Sequence, residues 1–500
     1  MLARLSSAVI LGVEAHLVSV EVDVAFGLPT FTLVGLPDTS LRESRGRVRS
    51  AIRNGGFEFP PHRITVNLAP ADLPKSGSWF DLPIALAILV ASGQCPPPAH
   101  PGLVVLGELS LDGCIHPTAG VLPIAASVAR TGAPGVIVPR LNAPEAALVG
   151  GIGVMPVGSL AEALDALALP VCEWPPPPER QRPDATPSSG LDLQDVKGQL
   201  FARRALEVAA AGGHHLLMTG PPGAGKTMMA RRLPGILPSL SPDEALEVSS
   251  IHSIAGCLPQ AGTLLRERPF RAPHHTISDV ALIGGGTRPR PGEISLAHDG
   301  VLFLDEVAEF PRRALEALRQ PLESGEIVVA RAARVVRFPA RFQLVAAMNP
   351  CPCGQRFSLV RPCRCTPSQV AAYADRLSGP LRDRIDLLVS VPAAEMDTST
   401  SPPLGESSDL VRARVLAARE RQHHRQGTLL NALLDGRALR EHCAVGAEAA
   451  ALLHRASERL ELSARARTRV LRVSRTLADL EGVAAISAAH IAEALQFRTT

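Results

Sequence analysis

The chain is poor in aromatic residues and in lysine. Phe, Trp and Tyr together make up 3% of its 500 residues, so a nucleic-acid contact would rest on charge more than on base stacking. Only three lysines occur, Lys75, Lys197 and Lys226, and the other basic residues are arginines. The formal net charge of +3 excludes a molecule-wide basic field and confines any DNA-binding surface to a local patch.

Long apolar runs and a disulfide framework are also missing. The longest apolar run, Leu82 to Ala91, is too short to cross a bilayer and contains Pro83. Glu14 and His16 interrupt the apolar N-terminus, so we expect no signal peptide. Nine cysteines, an odd number with four close together, argue against secreted disulfides. We therefore expect a cytoplasmic protein with no membrane partner.

Composition along the chain predicts an α/β protein of three domains. The end of the first domain is a proline-rich stretch that cannot hold regular structure and predicts a linker. A polar stretch, Asp397–Ser408, precedes a segment with apolar residues at helical spacing. The predicted parts are an N-terminal α/β domain at 1–170, the linker at 171–190, a nucleotide-binding domain at 191–396 and a C-terminal helical domain at 405–500.

Residues 220–227 read GPPGAGKT, a complete phosphate-binding loop of the form G-x-x-x-x-G-K-[ST]. Gly223 and Gly225 let backbone N–H groups turn inward around phosphates. Lys226 is predicted to reach the β- and γ-phosphates of ATP, and Thr227 to offer its hydroxyl to Mg²⁺. The predicted nucleotide-binding residues of the loop are Gly220, Pro221, Pro222, Gly223, Ala224, Gly225, Lys226 and Thr227.

A second span, Val301–Glu306, reads as an apolar strand that ends in two carboxylates. Asp305 is predicted to hold the magnesium ion, and Glu306 to polarise the attacking water. The alternative is an ordinary solvated strand end. Together with the phosphate-binding loop, the span predicts an ATP-hydrolysing enzyme.

Four cysteines form a CPC…CRC pattern with nine residues between the two pairs. In a cytoplasmic protein, two such pairs suggest tetrahedral thiolate coordination, most simply of a structural zinc ion. The C-x-C spacing is tighter than the commoner C-x₂-C, so free or redox-sensitive thiols are the alternative. The residues concerned are Cys351, Cys353, Cys363 and Cys365.

From Leu191 onward the sequence resembles the magnesium-chelatase-like AAA+ ATPases, and in particular the ComM/YifB family. The most specific stretches are RPFRAPHH at 268–275, PGEISLAH at 291–298, PLESGE at 321–326 and NPCPCG at 349–354. The resemblance implies a central AAA+ P-loop domain with β-hairpin insertions that face the pore of a hexameric ring, and a C-terminal helical lid. It also implies an ATP-driven motor acting on DNA, of the helicase or branch-migration type.

The resemblance implies roles for three further residues. Asn349, which ends an apolar strand, resembles the sensor that orients the lytic water. Arg384 is similar to an arginine finger that a neighbouring subunit supplies in trans, with Arg382 close enough to confuse the assignment. Arg465 resembles a second sensor at the start of a lid helix. A turn residue, a salt bridge and an exposed charged face are the respective alternatives.

Residues 20–145 resemble the Lon-type proteolytic domain as it recurs in this family. An active domain of that type needs a serine nucleophile and a lysine that activates it. Trp79 stands where the serine is expected, and Leu122 stands where the lysine is expected. We therefore expect a Lon-protease-like fold that is kept for interaction or assembly, without proteolytic activity.

Residues 326–338 read as two apolar strands around a turn that holds Arg331 and Arg334. Cations at the tip of a pore hairpin could follow a phosphate backbone without reading its sequence. The alternative for this segment is an edge hairpin with solubilising charges. The alternative for the whole protein is an ATPase subunit that remodels a protein partner, as in magnesium chelatase, and the N-terminal domain counts against it.

Overall fold

The computed structural model describes residues 1–176, 190–258, 262–286, 289–331, 334–356, 361–392 and 405–498, without the side chains of 330–334. Most of the predicted linker, and most of the polar stretch before the C-terminal segment, therefore lies outside the described residues. Over the described part, no helix combines the length and the apolar character needed to span a bilayer.

Residues 1–176 form an α/β unit around one mixed sheet. Its strands are β1 (Leu2–Leu11), β2 (Glu14–Ala25), β3 (Thr30–Val34), β4 (Arg63–Ala69), β5 (Val104–Val105), β6 (Glu108–Leu109), β7 (Ile115–His116), β8 (Gly135–Pro139) and β9 (Gly153–Val157). Its helices are α1 (Thr39–Arg42), α2 (Ser44–Asn54), α3 (Asp81–Ala91), α4 (Val121–Thr131), α5 (Ala143–Ala146) and α6 (Leu160–Ala168). Seven strands form the sheet in the order β3-β4-β2-β1-β5-β8-β9, and β6 pairs with β7 apart from it.

The antiparallel pair β1 and β2 is the longest ladder of this unit, with ten residue pairs from Leu2–Asp23 to Leu11–Glu14. Buried and more exposed residues alternate along β2, as expected for a strand with one face on the core. Helix α3 contains the longest apolar run of the sequence, and nearly all its residues are buried. An all-round apolar helix belongs in a core, so this run forms the centre of the unit.

The second unit carries the phosphate-binding loop. Its strands are β10 (Leu216–Thr219), β11 (Phe270–Arg271), β12 (Gly284–Gly285), β13 (Arg290–Pro291), β14 (Val301–Leu304), β15 (Glu326–Arg331), β16 (Arg334–Pro339), β17 (Gln343–Met348) and β18 (Leu387–Ser390). Its helices are α7 (Leu200–Gly212), α8 (Lys226–Ala230), α9 (Leu233–Ile236), α10 (Pro242–Ala255), α11 (Asp279–Ile283), α12 (Glu293–Leu296), α13 (Arg312–Ala317), α14 (Arg319–Ser324), α15 (Pro367–Ala374) and α16 (Gly379–Arg382).

Five strands of this unit form a parallel sheet in the order β11-β14-β17-β10-β18. Its central strands are apolar and buried along nearly their whole length, which is typical of parallel sheets covered on both faces. Because parallel strands end at the same edge, the residues that follow β10, β14 and β17 lie side by side. This α/β arrangement fits the predicted P-loop AAA+ core. Two antiparallel hairpins, β12–β13 and β15–β16, lie outside the sheet.

Residues 405–498 are helical, with α17 (Ser408–Gln426), α18 (Gly436–His442), α19 (Ala447–Arg459), α20 (Ala464–Glu481) and α21 (Ala488–Gln496). Short 3₁₀ turns elsewhere in the described residues cover Ser78–Phe80, Arg140–Asn142, Val171–Glu173, Leu193–Asp195, Val307–Glu309 and Asn431–Leu433. The C-terminal helices share one buried apolar cluster with the parallel sheet, to which Leu206, Val389 and Val470 belong. The sheet and these helices are therefore packed as one body.

A buried polar network joins the amino edge of the parallel sheet to the C-terminal helices. His214 lies just before β10, and its Nδ1 is 3.4 Å from Oδ2 of Asp386, which precedes β18. The Nε2 atom of His214 is 2.8 Å from the hydroxyl of Thr476 in α20. Asn431 donates to that hydroxyl at 3.1 Å and to Asp479 at 2.8 Å. Because every member has a partner, the network fixes how α20 sits on the sheet.

Candidate nucleotide site and hairpin

The phosphate-binding loop leaves β10 and enters α8 with two residues in the left-handed region. Gly223 has φ = 79° and Gly225 has φ = 85°, values that residues with a Cβ rarely adopt. The glycines of the motif are therefore required by the path of the backbone. This path is the one expected of a loop that wraps phosphates.

The side chain of Lys226 turns back onto the phosphate-binding loop and bonds to its carbonyl oxygens. Its Nζ donates to the carbonyl oxygens of Gly220 at 2.6 Å and Pro221 at 2.9 Å, and to Oδ1 of Asn349 at 3.3 Å. The side chain is buried, and this burial lowers the pKa of Lys226, while the nearby carboxylates of Asp305 and Glu306 raise it. The ammonium is thus desolvated and bound mainly by neutral oxygens. An anionic phosphate would be a stronger partner than these oxygens.

The side chains of Thr227 and Asp305 meet at the carboxyl ends of the parallel strands. The Thr227 hydroxyl donates to Oδ2 of Asp305 at 2.5 Å, and Oδ1 of Asp305 accepts from the backbone N–H of Glu306 at 3.0 Å. The hydroxyl and the carboxylate are therefore close enough to share one cation. Oxygen ligands of this kind suit Mg²⁺, which keeps several waters when it binds with phosphates.

Glu306 occupies an unusual backbone position next to a histidine. Its φ is 51°, which is uncommon for a residue with a side chain, and about half of its side chain is exposed. Nδ1 of His275 lies 3.6 Å from a Glu306 carboxylate oxygen. The His275 ring also lies against His274, with ring centres 4.1 Å apart, and edge-on to Phe310.

His275 is a site residue that the sequence pattern did not reveal. It lies, with Arg268 and Arg271, in the RPFRAPHH stretch at 268–275, which supported the family resemblance but indicated no contact with Glu306. The structure uses both arginines internally: Arg271 forms two 2.7 Å hydrogen bonds with Glu293, and Arg268 donates to the carbonyl of Asp299 at 2.6 Å. The loop after β11 therefore meets the acidic strand end through His275.

Asn349 follows β17 and is held from two directions. Its side chain accepts from Lys226, and Met348, the residue before it, lies in the same buried apolar cluster as Tyr373 of α15. Burial is the main cause that raises the pKa of Tyr373. Gly354, five residues further on, packs on the Pro222 ring of the phosphate-binding loop, since a Cβ on Gly354 would lie 2.8 Å from that ring. The segment after β17 is thus a wall of the nucleotide site.

Arg384 lies at the amino ends of the parallel strands, whereas the phosphate-binding loop of the same chain lies at their carboxyl ends. It precedes β18, and the neighbouring Asp386 N–H donates to the carbonyl of His215, at the amino end of β10. The Arg384 guanidinium donates to the carbonyl of Pro380 at 2.5 Å and pairs with Glu323. Its buried Nε has no hydrogen-bond partner within the described part of the chain.

Arg465 lies on the same side of the molecule as Arg384. It is exposed, in the first turn of α20. One turn later, Arg469 donates to the carbonyl of Ile385 at 3.3 Å and pairs with Asp383 at 3.4 Å. Arg465, whose carbonyl accepts from Arg469, therefore lies one helical turn from the segment that contains Arg384.

The β15–β16 hairpin carries the predicted DNA contacts. Its register runs from Glu326 paired with Pro339 to Arg331 paired with Arg334. The backbone of both arginines is at the end of the ladder, but their side chains and the two residues between them lie outside the described part of the chain. The base of the hairpin joins the apolar cluster beside the sheet through Ile327, and the half-buried Val329 packs against the same cluster.

The N-terminal unit touches this hairpin through the β1–β2 turn. Gly12 has φ = 66°, and a Cβ on it would lie 2.5 Å from the Arg337 carbonyl oxygen in β16. Beside this contact is a cleft of about 660 Å³ lined by residues of both units, including Glu14, His298 and Glu326. A second junction is formed by Gly120, whose N–H donates to the carbonyl of Ser253 at 3.1 Å.

One group of potential metal ligands borders the cleft, but its chemistry does not suit a metal. His298 Nε2 lies 3.3 Å from carboxylate oxygens of both Glu247 and Asp299. Nδ1 of His298 accepts from the backbone N–H of Arg341, so the proton of a neutral ring is on Nε2. The Arg341 guanidinium also pairs with both carboxylates. The group is therefore a satisfied ion-pair network.

The positions of the Lon-type dyad are occupied by packing residues. Trp79 donates its indole N–H to the carbonyl of Ala8 at 2.9 Å. Leu122 is fully buried in α4, and its backbone N–H donates to Glu145 at 3.1 Å. The nearby Ser78 bonds to Glu108, and neither Trp79 nor Leu122 offers a nucleophile or a base. The expectation of a catalytically inactive unit therefore stands as a prediction.

The four cysteines of the CPC…CRC pattern are brought together. Sγ of Cys351 lies 3.4 Å from that of Cys353 and 3.7 Å from that of Cys363, and the latter two are 3.6 Å apart. The four sulfurs, including that of Cys365, all lie within 4.8 Å of one another.

Three models of the magnesium chelatase family match the chain. "Subunit ChlI of Mg-chelatase" matches residues 20–142, "Magnesium chelatase, subunit ChlI" matches 192–399, and its C-terminal model matches 405–498. Protein YifB of Salmonella typhimurium is 45% identical over 99% of this chain and 97% of its own length. Competence protein ComM of Haemophilus influenzae is 46% identical over 99% of this chain and 97% of its own length. The chain belongs to the ComM/YifB family.

Membership of this magnesium-chelatase-like family makes the protein an AAA+ ATPase, as the sequence predicted. The likeness to magnesium chelatase itself is more distant. The 38 kDa subunit of magnesium chelatase from Rhodobacter capsulatus is 29% identical over 27% of this chain and 43% of its own length.

Proposed function

We propose that this member of the ComM/YifB family is an ATP-driven motor that acts on DNA as a ring of identical subunits, with six the expected number. The observation that carries the proposal is the continuity between the hairpin and the nucleotide site. Strand β16 continues through Ala340, Arg341 and Phe342 into β17, and β17 is followed directly by Asn349, which bonds to Lys226. A displacement of the hairpin can thus reach the nucleotide site along a single stretch of backbone.

ATP is the proposed substrate, and we assign each residue of the site one role in its binding or hydrolysis. Lys226 neutralises the β- and γ-phosphates, Asn349 orients the attacking water and Glu306 polarises it. The Mg²⁺ that accompanies ATP would be held by Thr227 and Asp305, where it offsets charge that develops on the γ-phosphate. The contact between His275 and Glu306 supports a positioned carboxylate, because it adds a second constraint to the Glu306 backbone.

The proposed ring assembly is supported by the positions of the phosphate-binding loop and Arg384 at opposite ends of the parallel strands. A nucleotide bound at the loop has its own Arg384 on the far edge, so the finger must come from the neighbouring subunit. Arg465 lies on that same far edge, and we assign it to the neighbour's nucleotide as well. Repeating this contact head to tail closes a ring if the rotation between subunits allows it.

DNA is proposed to contact the hairpin tip through charge. Arg331 and Arg334 stand at the end of a ladder whose base is fixed in the core, which suits a probe directed away from the sheet. Two guanidinium groups can follow phosphates without reading bases. A relative that matches nearly the whole chain is named a competence protein, which is consistent with a role in recombination or transformation.

The domain assignment is part of the same proposal. We assign 1–170 to a Lon-protease-like domain, 191–396 to the AAA+ core and 405–500 to a helical lid. The proposed task of the first domain is mechanical: its β1–β2 turn supports β16 through the contact of Gly12 with the Arg337 carbonyl. Proteolysis is not part of its task, because Trp79 and Leu122 replace the dyad.

A second candidate is an ATPase that remodels a protein partner, which the magnesium chelatase family models favour. The two functions are separated by measuring the ATPase rate of the intact protein alone and with single-stranded, duplex or forked DNA. We expect at least one DNA to stimulate hydrolysis. A rate that ignores every DNA contradicts the DNA motor and supports the remodelling ATPase.

A further inference from the structure

The sulfur positions of the four cysteines match the edges of a coordination tetrahedron. Zinc–thiolate bonds of about 2.3 Å in a tetrahedron place neighbouring sulfurs about 3.8 Å apart. Cys351, Cys353 and Cys363 are separated by 3.4, 3.6 and 3.7 Å, and Cys365 completes the group. A disulfide would require sulfurs about 2.05 Å apart, so none of these pairs is bonded.

The donor set indicates the metal and its role. Four thiolates around one point are soft ligands in tetrahedral geometry, which selects zinc or iron. A site closed by four protein ligands leaves no position for a substrate or an attacking water, so such a site stabilises structure. Cys351 is fully buried, which ties the group to the protein interior.

The first cysteine pair is attached directly to the nucleotide site. Cys351 follows Asn349 by two residues, and Gly354 follows Cys353. The Gly354 N–H donates to the Cys351 carbonyl at 2.9 Å, which closes a tight turn. In that turn Gly354 has φ = 73° and packs on the ring of Pro222 in the phosphate-binding loop.

The second pair returns the chain to the same place. Cys365 is followed by Thr366, the N-cap of α15, whose hydroxyl accepts from the Gln369 N–H. In α15, Tyr373 is buried in the same apolar cluster as Met348, the residue before Asn349. The two ends of the segment 351–365 are therefore both anchored beside Asn349, and four thiolates close it.

We propose that Cys351, Cys353, Cys363 and Cys365 bind one structural zinc ion, and that this ion braces Asn349 and Pro222 in the nucleotide site. The metal acts at a distance from the nucleotide, by holding the backbone turn at Cys351–Gly354 against the loop. The effect on nucleotide rests on the proposed ATP site, whereas zinc binding itself does not.

The metal is tested by elemental analysis of the full-length protein, purified from cells grown without added zinc. We expect about one zinc per chain. Cys353→Ser and Cys363→Ser should each lose most of it, and the control Cys114→Ser, at an exposed cysteine outside the group, should keep it. Wild-type protein without zinc, or with iron and its visible colour in place of zinc, overturns the assignment.

The brace is tested separately with Gly354→Ala, which keeps all four cysteines. Its Cβ would meet the Pro222 ring, so the turn must move away from the loop. We expect full zinc content and a several-fold weaker affinity for a non-hydrolysable ATP analogue. The control is Gly427→Ala, with a similar φ of 70° and nothing near the added Cβ, and it should bind the analogue normally.

The outcomes of the two measurements are distinguishable. Full zinc with unchanged analogue affinity in Gly354→Ala overturns the brace and leaves the metal site. Wild-type protein that carries zinc but binds no ATP analogue contradicts the proposed ATP site and, with it, the brace. Equal weakening by Gly354→Ala and Gly427→Ala also overturns the brace, because backbone strain alone would then account for the loss.

Discussion

The Nζ atom of Lys226 lies 3.3 Å from the Oδ1 atom of Asn349, across 123 residues of sequence. This hydrogen bond joins the phosphate-binding loop to the end of β17. A phosphate that draws the Lys226 ammonium away would release Asn349 from it. The account therefore predicts that nucleotide binding and hydrolysis change the constraints on β17, and through it on the β15–β16 hairpin.

Replacement of Glu306 by Gln should leave ATP binding intact and slow hydrolysis by about 10²- to 10⁴-fold, because an amide cannot polarise the attacking water as a carboxylate does. Binding is measured with a fluorescent ATP analogue and hydrolysis by phosphate release. The control is Glu309→Gln, which removes a carboxylate paired with Arg376 at 2.8 Å in the same turn. Normal turnover in the Glu306 variant would contradict its assigned role.

Contacts between residues that directly follow neighbouring parallel strands could be predicted from the sequence. A phosphate-binding loop and an apolar strand ending in Asp305 predict neighbouring parallel strands, and parallel strands bring Thr227 and Asp305 to one edge. The α/β P-loop core was predicted on this basis and is confirmed; the family, predicted from the resemblance of four specific stretches, is confirmed as well. Only the residues next to the strand ends follow from this logic.

Contacts between loops that are distant in the sequence could not be predicted from the sequence. The pairing of His275 with Glu306 depends on the path of the loop after β11 beside the end of β14, and no local sequence pattern encodes that path. The same holds for Gly12, which meets the Arg337 carbonyl from another unit. The end of the sheet at which Arg384 lies can be determined only when the strand order is known.

Replacement of Arg384 by Ala should preserve ATP binding and reduce hydrolysis by about 10³- to 10⁵-fold, as expected for a finger supplied in trans. Lys226→Ala should weaken ATP binding itself. Mixing the two variants should restore part of the activity, since some interfaces then combine an intact loop with an intact finger. The measurement is the ATPase rate across mixing ratios.

The control for this experiment is Arg382→Ala, which should keep hydrolysis. Loss of activity in Arg382→Ala but not in Arg384→Ala would move the finger to Arg382. Mixtures that assemble and stay inactive would contradict a role in trans.

Replacement of Gly12 by Ala should uncouple DNA from hydrolysis. The added Cβ would lie 2.5 Å from the Arg337 carbonyl oxygen, so the β1–β2 turn must withdraw from β16. We expect unchanged basal ATPase and reduced stimulation by DNA. Gly151→Ala is the matched control, because Gly151 also has a positive φ but nothing near its added Cβ. Equal stimulation in both variants would remove the turn from the mechanism.

Replacement of Asp479 by Ala should destabilise the chain by about 3–5 kcal/mol, because it removes the carboxylate paired with the buried guanidinium of Arg475 and the partly buried guanidinium of Arg425. Urea unfolding followed by far-ultraviolet circular dichroism measures the loss. Glu441→Ala is the control, since its 3.9 Å pair with Arg437 is exposed and should contribute little. Similar unfolding curves for both variants would contradict the role given to the network.

The measurement that tests the central claim most directly is the salt dependence of DNA binding by the wild type and by the double variant Arg331→Ala/Arg334→Ala. If both side chains neutralise phosphates, wild-type binding weakens steeply with salt, and the log–log slope of the variant is shallower by roughly one unit per lost contact. The variant should keep its basal ATPase and lose stimulation by DNA. An unchanged slope together with full DNA stimulation would contradict the claim that this hairpin couples ATP hydrolysis to DNA.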